Sequence, residues 1–237
     1  MSYYRRFKLD DYNLQQEVTD KYSLSGRVFK KIREDILTGV YKNGESIIES
    51  RISIQLGVSR TPVREALRQL ELEELVSIVP NKGAVVTGIN ADDIRDIYLI
   101  RSRIEGLAAR MCAETITEEQ IDSFEEIIML SQFHLSKGNL DQLYKLDNRF
   151  HELLYEGSKS RILRHVLSDF HHYAQRVRKA SLKSVERAKA SIQEHQMIFE
   201  ALKASDGELA EKLMNDHIVL KSKNVSDRKI AEYLENM

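Results

Sequence analysis

The stretch Gly57-Val58-Ser59-Arg60-Thr61-Pro62-Val63-Arg64-Glu65-Ala66-Leu67 decides how this chain is read. Gly57-Val58-Ser59 breaks a short helical pattern running from about Glu49 to Leu56, in which Ile52 and Leu56 face inward. Thr61-Pro62 starts the pattern again, because Thr can cap a helix and Pro at its first position loses no hydrogen bond. Two helices joined by a three-residue turn containing Gly form a helix-turn-helix. In the second of them Val63, Leu67 and Leu70 share the inner face, which turns Arg64 and Arg68 outward and leaves Arg60 at the N-terminal end.

The flanks extend this unit. Upstream, Val28, Ile32 and Ile36 recur every four residues between Ser25 and Leu37, one face of a first helix that Gly39 stops, and a loop follows through Asn43 and Gly44. Downstream, Leu75 to Val79, then Pro80-Asn81-Lys82-Gly83, then Ala84 to Thr87 read as strand, turn and strand, the wing of a winged helix. A winged helix-turn-helix is therefore expected over residues 23–88. Residues 1–22 are polar, with Tyr3, Tyr4 and Tyr12 in no regular period, and are expected to form a flexible arm.

From Ala91 onward strand signals vanish and no Pro occurs. The periodicity predicts six amphipathic helices: Asp92 to Ala113, Glu118 to Ser136, Leu140 to Tyr155, Ile162 to Arg178, Val185 to Ala204, and Glu208 to about Glu235, with Gly138, Gly157 and Gly207 as punctuation. The fold class is thus mainly α: an N-terminal winged helix-turn-helix followed by an all-α helical-bundle effector domain over residues 91–237.

Composition bounds what such a chain does. Its 237 residues are 42% hydrophobic, enough to bury two ordinary cores, and the formal net charge of -1 announces no nucleic-acid partner by itself. The distribution says more: Lys21 to Gly88 carries 11 basic and 8 acidic side chains, whereas Ile89 to Met237 carries 22 and 25. One cysteine, Cys112, excludes an internal disulfide, and its apolar neighbours mark it as a buried small hydrophobe. The N-terminus lacks the apolar core of a signal peptide and no apolar run is long enough to span a bilayer, so a cytoplasmic protein without a membrane partner is expected.

The recognition-helix stretch, together with Gly44-Glu45 upstream and Pro80-Asn81-Lys82-Gly83 in the wing, resembles the DNA-binding domain of the GntR superfamily of transcription regulators. The resemblance implies that Arg60 and Arg64 read base edges, that Ser59 and Thr61 hold phosphate, and that Gly83 lets the wing approach the minor groove. The chemistry agrees, since a guanidinium at the start of a helix in the major groove can bridge guanine O6 and N7. Arg51, Arg68 and Lys82 complete the expected basic face on operator double-stranded DNA. Two positions depart from the family pattern: Ser50 stands where many members carry Arg, with Arg51 one place later, and Glu74 stands where Gly usually follows the recognition helix.

Histidines give the second signal. Asp147 and His151 lie i,i+4 on one helix, and His195 and His217 lie on the last two helices beside apolar residues such as Ile198 and Leu213. A carboxylate and three imidazoles suit zinc or a related divalent ion, although each His can equally be a core or boundary residue. The segments Leu146-Asp147-x-x-x-His151, Glu194-His195-x-x-Ile198-x-x-Ala201-Leu202 and Ala210-x-x-x-Met214-x-x-His217 resemble the FCD effector domain of the FadR subfamily, in its six-helix VanR-like form. That resemblance implies a divalent metal, zinc with nickel or manganese as alternatives, held by Asp147, His151, His195 and His217, and a small carboxylate effector. Ile97-Tyr98-Leu99-Ile100-Arg101-x-x-Ile104-Glu105-Gly106-Leu107-Ala108 resembles the start of the same domain. Arg101 is the candidate to hold the carboxylate, against a surface i,i+4 salt bridge with Glu105. Of His171 and His172, adjacent and so on different faces, one is a candidate for reaching the pocket; His134 and His165 are surface or boundary residues.

The expected function is ligand-responsive regulation of transcription, as a repressor, by a homodimer on an inverted-repeat operator, because a single winged helix offers too few base contacts. A metal-responsive regulator, with the ion itself as signal, is the alternative. A metal-dependent hydrolase is a third reading, for which Glu194 is the only candidate base and has no partner in the sequence.

Overall fold

The computed structural model describes residues 23–80, 82–181 and 185–224. In order they form α1 (Leu24–Thr38), β1 (Ser46–Ile47), α2 (Glu49–Gln55), α3 (Arg60–Leu72), β2 (Val76–Val79), β3 (Gly83–Val86), α4 (Ala91–Thr115), α5 (Glu118–Ser136), α6 (Leu140–Gly157), α7 (Arg161–Ser181), α8 (Val185–Lys203) and α9 (Gly207–Asn224). The chain divides into two compact units, with the boundary in sequence between residues 89 and 90. The expected N-terminal arm, Asn81 in the wing turn, the side chain of His172 and the last helix beyond Asn224 lie outside the described residues.

In the first unit the Ser23 hydroxyl accepts the Gly26 N–H at 3.2 Å, and Gly39, at φ 73°, closes α1 in the left-handed conformation. Val28, Ile32 and Ile36 are buried on α1, and Val63, Ala66, Leu67 and Leu70 on α3, where the two helices pack together. The wing pairs in register, Val76 with Val86 and Ile78 with Ala84. β1, read from sequence as loop, adds a third strand: Ser46 pairs with Val85 and Ile47 with Ala84, giving the order β1-β3-β2. Two residues are too few to show a strand period.

The start of α3 is two residues earlier than the Thr61 cap predicts. Ser59 is the N-cap and Arg60 the first helical residue, so Pro62 stands third, where its missing N–H still costs nothing because the first turn has no acceptors for those groups. Gly83 has an internal role besides any approach to DNA: at φ 82° a Cβ there would lie 2.7 Å from the Ile47 carbonyl oxygen of β1. Glu74 takes the conformation a glycine would, at φ 58°, so α3 ends as it would with Gly and the backbone bears the strain.

In the second unit Asn90 and Asp93 form a capping box for α4, and Thr117 and Gln120 another for α5. Helix α4 runs 25 residues, longer at both ends than its periodicity predicts. It packs along α9. The two come close at Gly106, where a Cβ would sit 2.0 Å from Asn215 Oδ1. Two of the expected glycine stops are absorbed by helices instead. Gly157 is the last residue of α6, and Gly207 opens α9 behind Asp206, whose carboxylate accepts the Leu209 N–H at 3.0 Å. Phe124 packs edge-on against Phe150, with ring centroids 5.1 Å apart, and at 6.2 Å from Phe199, forming an aromatic floor beneath the histidines.

Candidate functional site

On the first unit, Arg51, Ser59, Arg60, Thr61, Arg64, Arg68 and Lys82 are all exposed, while Gly83 is half-buried. The Ser59 hydroxyl makes no hydrogen bond to the helix it precedes, which leaves it available to an anion at the α3 N-terminus. Arg64 is not loose. Its Nε and Nη2 donate to Glu49 Oε1 and Oε2 at 2.9 and 2.8 Å, a fork between α3 and α2. This hydrogen bonding holds the Glu49 carboxyl below its ordinary range. The fork uses Nε and Nη2 and leaves Nη1 out of the pair with Glu49.

On the second unit, Asp147, His151, His195 and His217 are all buried, and one donor atom from each lies within 4.8 Å of the others. Helix α6 supplies Asp147 and His151, α8 supplies His195 and α9 supplies His217. Carboxylates orient two of the rings from outside: His151 Nδ1 lies 2.7 Å from Glu105 Oε2, and His217 Nδ1 lies 2.6 Å from Glu194 Oε2. A carboxylate only accepts, so each Nδ1 carries the proton and each Nε2 turns its lone pair to the centre. His195 lies flat on Phe150, with ring centroids 4.0 Å apart and planes within 4°, and its Nε2 comes within 3.2 Å of His217 Nε2. Burial, reinforced by Lys221, holds the His217 pKa well below the ordinary imidazole range, so the ring is neutral, the form that binds metal.

These residues fit a divalent cation. Three imidazole nitrogens and one carboxylate oxygen converge in a buried interior, with the carboxylate–histidine partners that orient such ligands. They also already surround a cation of the protein's own. Lys221 Nζ donates to Asp147 Oδ1 at 2.8 Å and lies 3.3 Å from His151 Nε2, and the lysine is 1% exposed.

Arg101 is fully buried, not on the surface. Its Nε donates to Glu105 Oε1 at 2.6 Å, and its Nη1 finds no hydrogen-bond partner among the described residues. Burial opposes the charge, but the Glu105 carboxylate outweighs it and keeps the guanidinium protonated. Arg101, Glu105, His151, Lys221 and Asp147 therefore form one continuous polar chain through the interior. Beside it, Glu152, Tyr155, Glu156, Arg164, Ser168 and His171 line a cleft of about 210 Å³ between α6 and α7. His171, 2% exposed, has its ring centroid 6.3 Å from that of His151 and so stands between cleft and cluster.

Comparison with known proteins bears directly on these two constellations. The family model "Bacterial regulatory proteins, gntR family" matches residues 24–86, and the FCD domain model matches residues 96–220, more than half of the chain. The chain belongs to the GntR family of transcriptional regulators and carries an FCD domain. It is 30% identical to the "Uncharacterized HTH-type transcriptional regulator YdhC" of Bacillus subtilis (strain 168) over 210 residues, covering 88% of this chain and 92% of that one. It is 28% identical to the "HTH-type transcriptional repressor RspR" of Escherichia coli (strain K12) over 205 residues, covering 86% and 90%. The solved structure of E. coli McbR/YncC shares the fold with a TM-score of 0.65 at 23% identity, covering 86% of this chain and all of that one.

These matches identify a regulator and not an enzyme, which sets aside the hydrolase reading. Glu194, its candidate base, is engaged by His217 and, at 2.7 Å to each oxygen, by Arg187. No helix among the described residues is long and apolar enough to cross a membrane. Spacing gave Glu194 only the role of a hydrolase base and Glu105 only that of a partner to Arg101, and it gave Lys221 none; all three sit against the residues of the cluster. His134 is half-buried and His165 exposed, both away from it.

Proposed function

We propose that this regulator is a repressor that binds an inverted-repeat operator as a homodimer and responds to a small carboxylate held in its FCD domain. Arg60 and Arg64 read base edges, Ser59 and Thr61 hold phosphate, and Arg51, Arg68, Lys82 and the wing at Gly83 follow the backbone. In the FCD domain Asp147, His151, His195 and His217 hold a divalent cation, zinc by donor type, with nickel and manganese also suited. Bound there, the cation supplies open coordination positions to the carboxylate. Glu105 and Glu194 keep the ligating rings in the right tautomer, Phe150 fixes the plane of His195, and Arg101 Nη1 offers a buried donor beside Glu105. The observation that carries the effector half of this reading is the buried convergence of one carboxylate and three oriented imidazoles.

The DNA half is tested on operator sequences selected from a random pool. Arg60→Ala and Arg64→Ala each cost roughly 1 to 3 kcal/mol in an anisotropy titration and relax base preference at one position. Unchanged affinity in both variants defeats the assignment. The effector half is tested by melting zinc-loaded protein against a panel of small carboxylates. A carboxylate that raises the melting temperature of the wild type and not of His195→Ala supports the site; an equal rise in both places the effector elsewhere.

A further inference from the structure

We propose that Lys221 is a displaceable internal cation, whose ammonium competes with a divalent ion for Asp147 and His151. The proposal rests on reading the four-residue cluster as a cation site, and it adds that the site is already served by the chain itself. Lys221 reaches inward from the last described turn of α9, one helical turn beyond His217, and is as deeply buried as the ligands it meets. Its Nζ lies 2.8 Å from Asp147 Oδ1 and 3.3 Å from His151 Nε2, the two atoms on α6 that a metal would take.

Charge argues the same way. Arg101 and Lys221 are the cations and Glu105 and Asp147 the anions of one buried chain, so their charges already cancel, while Glu194 is matched separately by Arg187. Buried charge is tolerated when it is paired in this way. A divalent ion entering between Asp147 and His151 would face an ammonium at contact distance inside a space bounded by donors no more than 4.8 Å apart. Two cations do not share such a space. Entry of the ion and withdrawal of Lys221 are thus one event. After the exchange the chain carries one positive charge more than before, which an anionic ligand would cancel. On this account Lys221 weakens metal binding in the absence of an anion, and α9, which carries both Lys221 and His217, is the element that registers the exchange.

The experiment uses full-length protein purified without a histidine tag, stripped with EDTA and titrated with zinc against a chelating dye. The wild type is compared with Lys221→Met, which keeps the aliphatic stem, and Lys221→Gln, which keeps a polar end in case the methionine variant folds poorly; circular dichroism checks each. Both variants should bind zinc about tenfold or more tightly than wild type, the scale on which groups around a metal site act. Binding by the variants alone, with none by wild type, supports the proposal in its strongest form. Equal zinc affinity in all three proteins, or weaker affinity in the variants, overturns it while leaving the cluster a cation site. No zinc, nickel or manganese binding by any of the three removes both readings together.

Discussion

Glu74 stands where the GntR pattern has glycine, and it holds the left-handed conformation that glycine adopts freely. A side chain there costs roughly 1 kcal/mol. Glu74→Gly is therefore expected to raise the stability of the winged-helix unit by about that amount in a urea titration, with operator affinity unchanged. Cys112 shows the opposite situation, a residue whose surroundings suppress its chemistry. It is completely buried and burial pushes its thiol up to about 12. The native protein should give no reaction with a thiol-directed chromogenic disulfide at neutral pH, and one equivalent once unfolded. Reaction of the folded protein at the rate of a free thiol would mean that the α4–α6 packing opens readily.

The helices were legible because each writes its own period. Val28, Ile32 and Ile36, or Val63, Leu67 and Leu70, announce an inner face without help from the rest of the chain. Asp147 and His151 were legible for the same reason, as an i,i+4 pair, His195 and His217 by their place beside apolar residues of the last two helices, and the family resemblance added weight to the grouping of all four. What spacing could not reveal was partnership across the bundle. Glu105 meets His151 from 46 residues away, Glu194 meets His217 from 23, and Lys221 meets His151 from 70, and no local pattern marks any of these pairs. Arg101 and Glu105 were visible as a helical pair, but a pair of that spacing reads the same on the surface as in the interior. Helix ends were read least well, since Pro62 suits any position of a first turn and Gly157 and Gly207 serve packing or helix starts as readily as stops. Gly106 belongs to this class: its reason lies on α9. Gly106→Ala should destabilise the FCD unit by roughly 1 to 3 kcal/mol through the clash with Asn215. Smaller-to-larger substitution at this position without loss in a thermal melt would show that Asn215 can swing aside.

For the whole molecule, the proposed cation and operator would act through mass action. Full-length protein at a zinc concentration about a hundredfold above its dissociation constant gains roughly 2.7 kcal/mol over the EDTA-stripped form, a rise of roughly 5 to 10 °C in melting temperature. Coincident melting curves with and without zinc, nickel and manganese, in the wild type and in Lys221→Met alike, would leave the cluster a purely structural polar network. A symmetric pair of recognition helices doubles the readable bases, so sedimentation at micromolar concentration should report a dimer and footprinting two protected half-sites. A monomer occupying one half-site would contradict the two-fold arrangement. On the proposed function, an effector would shift operator affinity only by the difference in its affinity for the DNA-competent and DNA-incompetent arrangements, and operator DNA would in turn weaken or strengthen effector binding by the same factor.

The flat stacking of His195 on Phe150 has a magnetic consequence. Protons at the edge of an imidazole lying face to face with a phenyl ring feel its ring current and resonate upfield, whereas those of exposed His165 do not. His195 thus labels itself in a proton spectrum of the unmodified protein. An ion arriving at its Nε2, or a carboxylate arriving at the ion, would be read as the movement of one already resolved pair of lines.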